Sequence, residues 1–289
     1  MIPFPPGGGN DALGRLVAEK MSRSLGQQVV VDNRGGAGGT IATRAVAKSA
    51  PDGYTILLTY TGTLAINPTL YRNPGYDPRR DFAPIGLIGE LSSVLVVVPS
   101  LPIRSVAELI AYAKQHPGKL DYAFVPGTVG HITTELFAHT AGIAVTRIPY
   151  KGNGPAMTDL LGGHVSMMFL SILPVLEHVR SGTLRALAVT NAARSRLLPD
   201  VPTIAESGLT GFSAAIRYGL VAPAGTPRAI VERLNAELVA ALAADDVRTR
   251  LASEGGTPLP GSPQDYAAEI DREEAKWGEL VRRLNLQAD

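Results

Sequence analysis

Two glycine-rich loops are the segments of this sequence best suited to hold a ligand. Residues 5–11 (Pro-Pro-Gly-Gly-Gly-Asn-Asp) and residues 126–131 (Pro-Gly-Thr-Val-Gly-His) each lead into a helical pattern. Glycines let backbone N–H groups approach a ligand, and a helix N-terminus carries about half a positive charge. Each loop is therefore a candidate anion site. For the first loop, a turn capped by Asn10 or Asp11 is an alternative that does not exclude binding.

The other chemistry-bearing residues do not assemble into an enzyme site. Residues 33–40 are glycine-rich but lack the end of a P-loop and the spacing of a dinucleotide fingerprint, so they predict a flexible loop. The chain has no cysteine and no Gly-x-Ser-x-Gly motif. His131, Glu135 and His139 share a helix face, but at 1.5 Å rise per residue the outer pair lies about 12 Å apart, too far for one metal ion. We expect no catalytic residues, no metal and no cofactor, and keep an α/β enzyme as a distant alternative.

Composition excludes several classes of partner. The 289 residues carry 27 basic and 26 acidic side chains, a net charge of +1, which offers no electrostatic basis for binding nucleic acid or an anionic membrane. The longest uncharged stretch, residues 53–71, contains threonines, an asparagine and a proline, so it predicts no membrane helix. At roughly 100–200 residues per domain, the length suggests two lobes or one large α/β unit.

Apolar strands and amphipathic helices alternate along the chain, which is typical of an α/β fold. Two similar strand–proline–helix segments place Pro99 and Pro223 where a strand leaves its sheet, because proline cannot donate to a ladder. They predict two crossings between lobes, with residues 1–98 plus 223–289 in lobe 1 and 99–222 in lobe 2. A single sheet with two similar loops is the alternative. The main predicted helices are 11–25, 105–114, 132–141, 229–244 and 264–284, and the predicted strands are 29–31, 54–58, 94–98, 121–124, 144–149, 165–170, 185–189 and 215–221.

Eight segments spread over the whole chain carry a resemblance to a known family. They are Pro3-Phe-Pro-Pro-Gly-Gly, Val31-Asp-Asn-Arg-Gly-Gly-Ala-Gly-Gly, Ala50-Pro-Asp-Gly-Tyr-Thr, Ala65-Ile-Asn-Pro, Pro149-Tyr-Lys-Gly, Asp159-Leu-Leu-Gly-Gly, Leu184-Arg-Ala-Leu-Ala-Val-Thr and Ala222-Pro-Ala-Gly-Thr-Pro. In this order they resemble the substrate-binding proteins of tripartite tricarboxylate transporters, the Bug receptors. The N-terminus departs from the family, whose members have an export leader and a full first strand. We interpret the start of this chain as truncated within that strand.

The resemblance implies a two-lobed periplasmic binding protein of the type II, Venus-flytrap class, each lobe a central mostly parallel β-sheet flanked by helices. It implies a monomeric, non-enzymatic receptor in the periplasm that binds a small organic carboxylate between its lobes and delivers it to a two-subunit membrane permease. A receptor that reports to a sensor kinase is the alternative. The ligand contacts that it implies are Pro6, Gly7, Gly8, Asn10, Asp11, Thr61, Gly62 and Thr63 in the first lobe, and Thr128, Gly130, His131, Tyr150, Lys151 and Gly152 in the second.

Two departures from the family bear on the ligand. Many relatives have an aspartate where this chain has Leu170 and Ser171, and many have an aromatic residue at the position of Arg217. We include Ser171 and Arg217 among the candidate ligand contacts. If Arg217 faces the ligand, its guanidinium can bind a second carboxylate in a bidentate manner. The loss of one acid and the gain of one base favour a dianion over an amino acid, and we expect a dicarboxylate or an aromatic acid. The alternative is that Arg217 points to solvent.

Overall fold

The computed structural model describes residues 1–7, 9–126 and 128–288. The chain divides into two units. The first unit contains Met1–Glu90, Arg217–Ala252 and Thr257–Asp289, and the second contains Leu91–Ile216 and Ser253–Gly256. The first two boundaries therefore cut the chain between Glu90 and Leu91 and between Ile216 and Arg217.

The helices and strands alternate as the sequence predicts. In chain order the helices are α1 (Gly9–Leu25), α2 (Thr40–Ala47), α3 (Asn67–Leu70), α4 (Val106–Gln115), α5 (Val129–Ala141), α6 (Asn153–Leu161), α7 (Leu176–Arg180), α8 (Arg228–Ala243), α9 (Asp245–Ser253) and α10 (Pro263–Arg283). The strands are β1 (Leu57–Tyr60), β2 (Phe82–Leu91), β3 (Ser93–Val97), β4 (Asp121–Phe124), β5 (Thr146–Pro149), β6 (Met167–Ser171), β7 (Arg185–Val189), β8 (Ile216–Pro223) and β9 (Gly256–Pro258).

The unit boundaries fall earlier along the chain than Pro99 and Pro223. Strand β3, which we expected in the first lobe, pairs antiparallel with β6 and β7 of the second unit. Strand β8, which we expected to end the second lobe, pairs antiparallel with β1 of the first unit. Backbone hydrogen bonds assign each strand to its sheet before the proline is reached, so the prolines mark the ends of these strands and not the crossings.

The first unit is built on a four-stranded sheet in the order β1-β8-β2-β9. Tyr60 lies opposite Tyr218 at the end of the β1–β8 ladder. Helix α1 buries Leu13, Val17 and Met21, which lie four residues apart and so occupy one helix face. The amphipathic pattern predicted for residues 11–25 is therefore confirmed.

The predicted strand 29–31 does not form. Among the described residues, the neighbouring backbone segment contributes a single bridge, between Ile2 and Asn33. That bridge consists of Ile2 N–H donating to the Asp32 carbonyl at 2.8 Å and Arg34 N–H donating to the Ile2 carbonyl at 2.9 Å. A strand requires a partner along its length. Val30 is consequently 72% exposed.

The second unit is built on a five-stranded sheet in the order β5-β4-β6-β3-β7. Strand β4 is parallel to β5 and β6, whereas β3 is antiparallel to β6 and β7. Four strands thus run one way and β3 runs against them. The carboxyl ends of β4, β5, β6 and β7 and the amino end of β3 therefore lie at one edge, which we call the second-unit edge. Most predicted second-lobe contacts follow these strand ends.

Candidate functional site

Asp11 organises the first glycine-rich loop. Its Oδ2 accepts hydrogen bonds from Gly7 N–H at 2.9 Å and from Arg15 Nε at 3.0 Å, and its Oδ1 accepts one from Asn33 Nδ2 at 2.8 Å. Asp11 is only 4% exposed, and the hydrogen bond from Arg15, followed by that from Gly7, lowers its pKa to about 2. An ionised carboxylate committed to three protein donors holds the loop in shape and repels an anion, so we assign Asp11 a positioning role.

The structure describes most of the other first-loop residues that were predicted to contact the ligand. Gly7 is exposed and has φ of +90°, a backbone conformation that favours glycine. Pro6 is also exposed, and Asn10, in the first turn of α1, is half-buried. Gly8 lies outside the described residues. The Phe4 ring contacts the Tyr60 ring with centroids 4.9 Å apart, so the loop adjoins the end of β1.

The turn after β1 leaves one hydroxyl proton unused. Thr63 Oγ1 donates to the Tyr60 carbonyl at 2.9 Å and accepts from Tyr60 N–H at 3.2 Å, so the one proton of this hydroxyl is used. A Cβ at Gly62 would lie 2.4 Å from the Tyr60 ring, so this position requires glycine. Thr61 Oγ1 accepts from Arg217 N–H at 2.8 Å, and among the described residues its own proton has no acceptor. Of these three predicted contacts, Thr61 has the free donor.

The Arg217 side chain is not available to a ligand. Its Nη1 lies 2.7 Å from Glu269 Oε1 and 2.9 Å from Glu273 Oε1, and its Nη2 lies 3.4 Å from Glu90 Oε2. The side chain is 22% exposed, so it does not point freely into solvent either. This geometry contradicts the hypothesis that Arg217 binds a second ligand carboxylate, because three protein carboxylates already occupy its guanidinium.

At the second-unit edge, Thr128 and Gly130 position helix α5. Thr128 is its N-cap: Oγ1 accepts from His131 N–H at 3.3 Å and donates to the Val125 carbonyl at 2.8 Å. A Cβ at Gly130 would lie 2.8 Å from the Phe169 carbonyl oxygen. Gly130 therefore permits the close approach of α5 to β6. Both predicted contacts therefore act on the geometry of the helix: the Thr128 proton is used by the Val125 carbonyl, and Gly130 has no side chain.

His131 is a buried, neutral imidazole. It is 7% exposed and stacks on Phe124 with ring centroids 4.4 Å apart. Its Nδ1 has no hydrogen-bond partner in the part of the chain that the structure describes. Burial lowers the pKa of His131 to about 4. At neutral pH the ring can therefore offer a hydrogen bond but no positive charge.

This burial predicts a loss of stability in mild acid. Because the pKa of His131 is about 4 in the folded chain against 6.5 as its ordinary value, the unfolded chain takes up the proton first as pH falls. The stabilisation by the neutral ring is complete above pH 6.5 and declines by up to about 3 kcal/mol towards pH 4. Urea unfolding at several pH values should show a flatter decline for His131→Phe than for the wild type. His139→Gln, which removes an exposed histidine of the same helix, should keep the wild-type decline, and equal declines in all three proteins would contradict the assignment.

The loop after β5 contributes a cation. Tyr150 donates from its hydroxyl to Asp159 Oδ2 at 2.6 Å, and its N–H donates to the Phe124 carbonyl at 2.8 Å. Lys151 is exposed, and it has no ion-pair partner within the described ranges. Gly152 is the N-cap of α6 and makes no side-chain cap. Tyr150 thus fixes the loop, and Lys151 remains available to an anion.

The structure adds polar residues that the sequence reasoning missed. Ser171, a predicted contact, lies opposite Ser93 at the second-unit edge. Ser93 N–H donates to Thr190 Oγ1 at 3.0 Å. Asn191, which follows, is 8% exposed, and its Oδ1 has no partner among the described residues. The available signal was the change from apolar to polar residues immediately after β7.

The buried Glu135 of α5 pairs with the exposed Arg147 of β5. Arg147 Nε and Nη2 each lie 2.6 Å from a Glu135 carboxylate oxygen, and the buried Tyr122 hydroxyl donates to the same carboxylate. Burial opposes ionisation of Glu135, but the hydrogen bonds from Arg147 and Tyr122 outweigh it and lower its pKa. Glu135 is therefore used structurally.

Among the described residues, the predicted contacts of the first unit include the free hydroxyl of Thr61, and those of the second include Lys151, which has no ion-pair partner there. Among them, no three His, Asp or Glu side chains converge as a metal site. Within the same residues, no helix combines the length and the apolar character that crossing a bilayer requires. Hydroxyls, backbone amides, an imidazole and Lys151 can bind a carboxylate, and nothing in this set resembles an activated nucleophile.

Known proteins match this chain over nearly its whole length. Residues 13–286 match the model of the tripartite tricarboxylate transporter family receptor. The protein BugT of Bordetella pertussis is 42% identical over 284 residues, which cover 98% of this chain and 87% of BugT. The structure of R. palustris Rpa4515 with adipate is 40% identical, with a TM-score of 0.86 over 99% of this chain and 96% of that one. MatC from Rhodopseudomonas palustris with bound malate is 34% identical, with a TM-score of 0.83 over 97% of each chain.

These matches confirm the predicted α/β fold of the type II periplasmic binding proteins and the resemblance to the Bug receptors. The family is one of transport receptors and not of enzymes. The chain therefore belongs to the tripartite tricarboxylate transporter receptor family.

Proposed function

We propose that this chain is a periplasmic receptor for a small organic dicarboxylate, which it delivers to a two-subunit membrane permease. The observation that carries the proposal is the hydroxyl of Thr61, which is 5% exposed and has no acceptor among the described residues. A buried donor without a partner is costly unless a ligand supplies the acceptor. Thr61 adjoins the loop that Asp11 holds in place, through the contact between Phe4 and Tyr60.

Neutral donors explain how a carboxylate is selected. A hydrogen bond from a neutral donor to a charged acceptor contributes about 1.5–3 kcal/mol. A few such bonds reach the roughly −8 kcal/mol of a micromolar receptor. The hydroxyls of Thr61 in the first unit and Ser171 in the second are neutral donors of this kind, and Lys151 of the second unit adds a charged donor. A ligand that lacks the carboxylate leaves these donors unpaired, which gives selectivity.

The relatives support a dicarboxylate ligand. Arg217 does not, because its guanidinium pairs with three protein carboxylates. The relatives with adipate and with malate cover nearly the whole chain at 40% and 34% identity. Both ligands carry two carboxylates separated by a short chain. We extend that ligand class to this protein, with an aromatic acid as the less favoured ligand.

A thermal-shift panel tests the ligand class. The probes are adipate, malate, succinate, citrate, benzoate and glutamate, with sodium sulfate as the control for ionic strength. A ligand at a hundredfold its dissociation constant adds about 2.7 kcal/mol and should raise the Tm by about 5 °C. We expect adipate or malate to give this shift. Equal shifts with sulfate, or none after refolding from denaturant to remove bound ligand, would contradict the proposal.

The role of Thr61 is tested by titration calorimetry with adipate. Thr61→Val removes the donor and should weaken binding at least tenfold. Thr61→Ser keeps the hydroxyl and should bind within about threefold of the wild type, because it retains the same hydrogen bond. Equal affinities for the valine and serine variants would remove Thr61 from the binding set.

A further inference from the structure

Arg217 occupies a position where the chain could equally have buried an apolar side chain. Its guanidinium contacts the carboxylates of Glu90, Glu269 and Glu273, whose side chains are 24%, 11% and 11% exposed. Replacing such a partly buried ion cluster by apolar residues is often neutral or stabilising. The cluster therefore calls for an explanation other than fold stability.

The cluster joins three elements of the first unit. Glu90 is the last first-unit residue on β2, and Arg217 is the first on β8. Strands β2 and β8 are neighbours in the sheet. Glu269 and Glu273 lie one turn apart on α10, so both carboxylates project from the same helix face. Arg217 thus ties the two strands that lead to the second unit to each other and to α10.

Arg217 also determines the orientation of the Thr61 hydroxyl. Tyr60 and Tyr218 are the last pair of the β1–β8 ladder, and directly beyond them Arg217 N–H donates to Thr61 Oγ1 at 2.8 Å. Because Oγ1 accepts this bond, the Thr61 proton must point elsewhere. The backbone of Arg217 therefore sets the rotamer of Thr61, and its side chain anchors that backbone to α10.

We propose that Arg217 is a positioning residue, whose pairing with Glu90, Glu269 and Glu273 holds the amino end of β8 so that Thr61 presents its hydroxyl to the ligand. The proposal rests on the carboxylate-binding function above. It gives α10, a helix of the C-terminal tail, a part in ligand recognition without any contact to the ligand.

The cluster contains enough positive charge for an Arg217 variant to fold. Arg272 pairs with Glu269, and Lys276 Nζ lies 3.7 Å from Glu273 Oε1. Glu273 also accepts a hydrogen bond from Trp277 Nε1 at 2.7 Å. Removal of the Arg217 guanidinium therefore leaves both α10 carboxylates partnered.

The test compares Arg217→Met with Arg79→Met. Arg79 also pairs with two carboxylates of α10, Asp271 at 2.9 Å and Glu274 at 2.8 Å, but it donates no bond to Thr61. The first measurement is hydrogen–deuterium exchange without ligand in peptides covering residues 60–66 and 216–220. We expect exchange at least tenfold faster in Arg217→Met and within twofold of the wild type in Arg79→Met. Arg217→Lys should fall between Arg217→Met and the wild type.

The second measurement is titration calorimetry with adipate. We expect at least a tenfold loss of affinity in Arg217→Met and less than twofold in Arg79→Met. Wild-type exchange and affinity in Arg217→Met, or equal effects in both variants, would overturn the proposal. If the wild type itself fails to bind adipate, the ligand class fails, and exchange alone decides whether Arg217 positions Thr61.

Discussion

Replacing Glu135 by alanine is expected to lower the free energy of unfolding by about 3 kcal/mol. The Glu135 side chain is 4% exposed and accepts hydrogen bonds from Arg147 and Tyr122. Arg147 is 54% exposed, so water replaces its partner. Tyr122 is fully buried, so its hydroxyl loses its acceptor with no route to solvent, and a cavity forms beneath α5.

Urea unfolding followed by far-UV circular dichroism measures this effect. The control is Glu177→Ala, which removes a pair with Arg180 whose side chains are 81% and 59% exposed and should cost less than about 0.5 kcal/mol. Trp277, the single tryptophan, lies in the first unit, so its fluorescence should report a smaller change than the dichroism. Equal losses in the two variants would show that burial of Glu135 contributes nothing beyond an exposed ion pair.

Replacing Asp11 by alanine is expected to weaken adipate binding by more than fiftyfold and to lower stability by about 2 kcal/mol. The change releases Gly7 N–H, Arg15 and Asn33 from one buried carboxylate. The glycine-rich loop then loses the bond that orients its backbone amides. Because Phe4 of this loop contacts Tyr60, the residue before Thr61, loosening of the loop should disturb the Thr61 donor and weaken binding.

The pH dependence of stability identifies the same carboxylate. The pKa of Asp11 is about 2 in the folded chain against an ordinary 3.8, so its contribution is complete above pH 3.8 and is lost as pH falls towards 2. Asp11→Ala should lack this loss. Asp32→Ala is the control, because Asp32 pairs only at the surface with Arg34. A wild-type pH profile and affinity in Asp11→Ala would refute the positioning role.

Local patterns predicted much of the fold. The four-residue spacing of Leu13, Val17 and Met21 identified α1, and apolar runs located β3 and β7 to within a residue or two. These signals depend only on the periodicity of side chains along helices and strands. The prediction of a strand at residues 29–31 was wrong, because strand formation depends on a partner strand from elsewhere in the chain.

The sequence by itself determined the family, the alternation of strands and helices, and the two glycine-rich loops that lead into helices, because recurring motifs and glycine requirements are local properties. Only the tertiary structure decided which side chains there are free. Thr61 and Thr63 are two residues apart and chemically identical, yet one proton is spent on Tyr60 and the other is not. The sequence made Arg217 a candidate ligand contact, but in the structure its guanidinium pairs with the carboxylates at residues 90, 269 and 273. A hydrogen bond or ion pair forms between groups that folding brings within about 3 Å, and for residues on different elements the sequence does not give that distance.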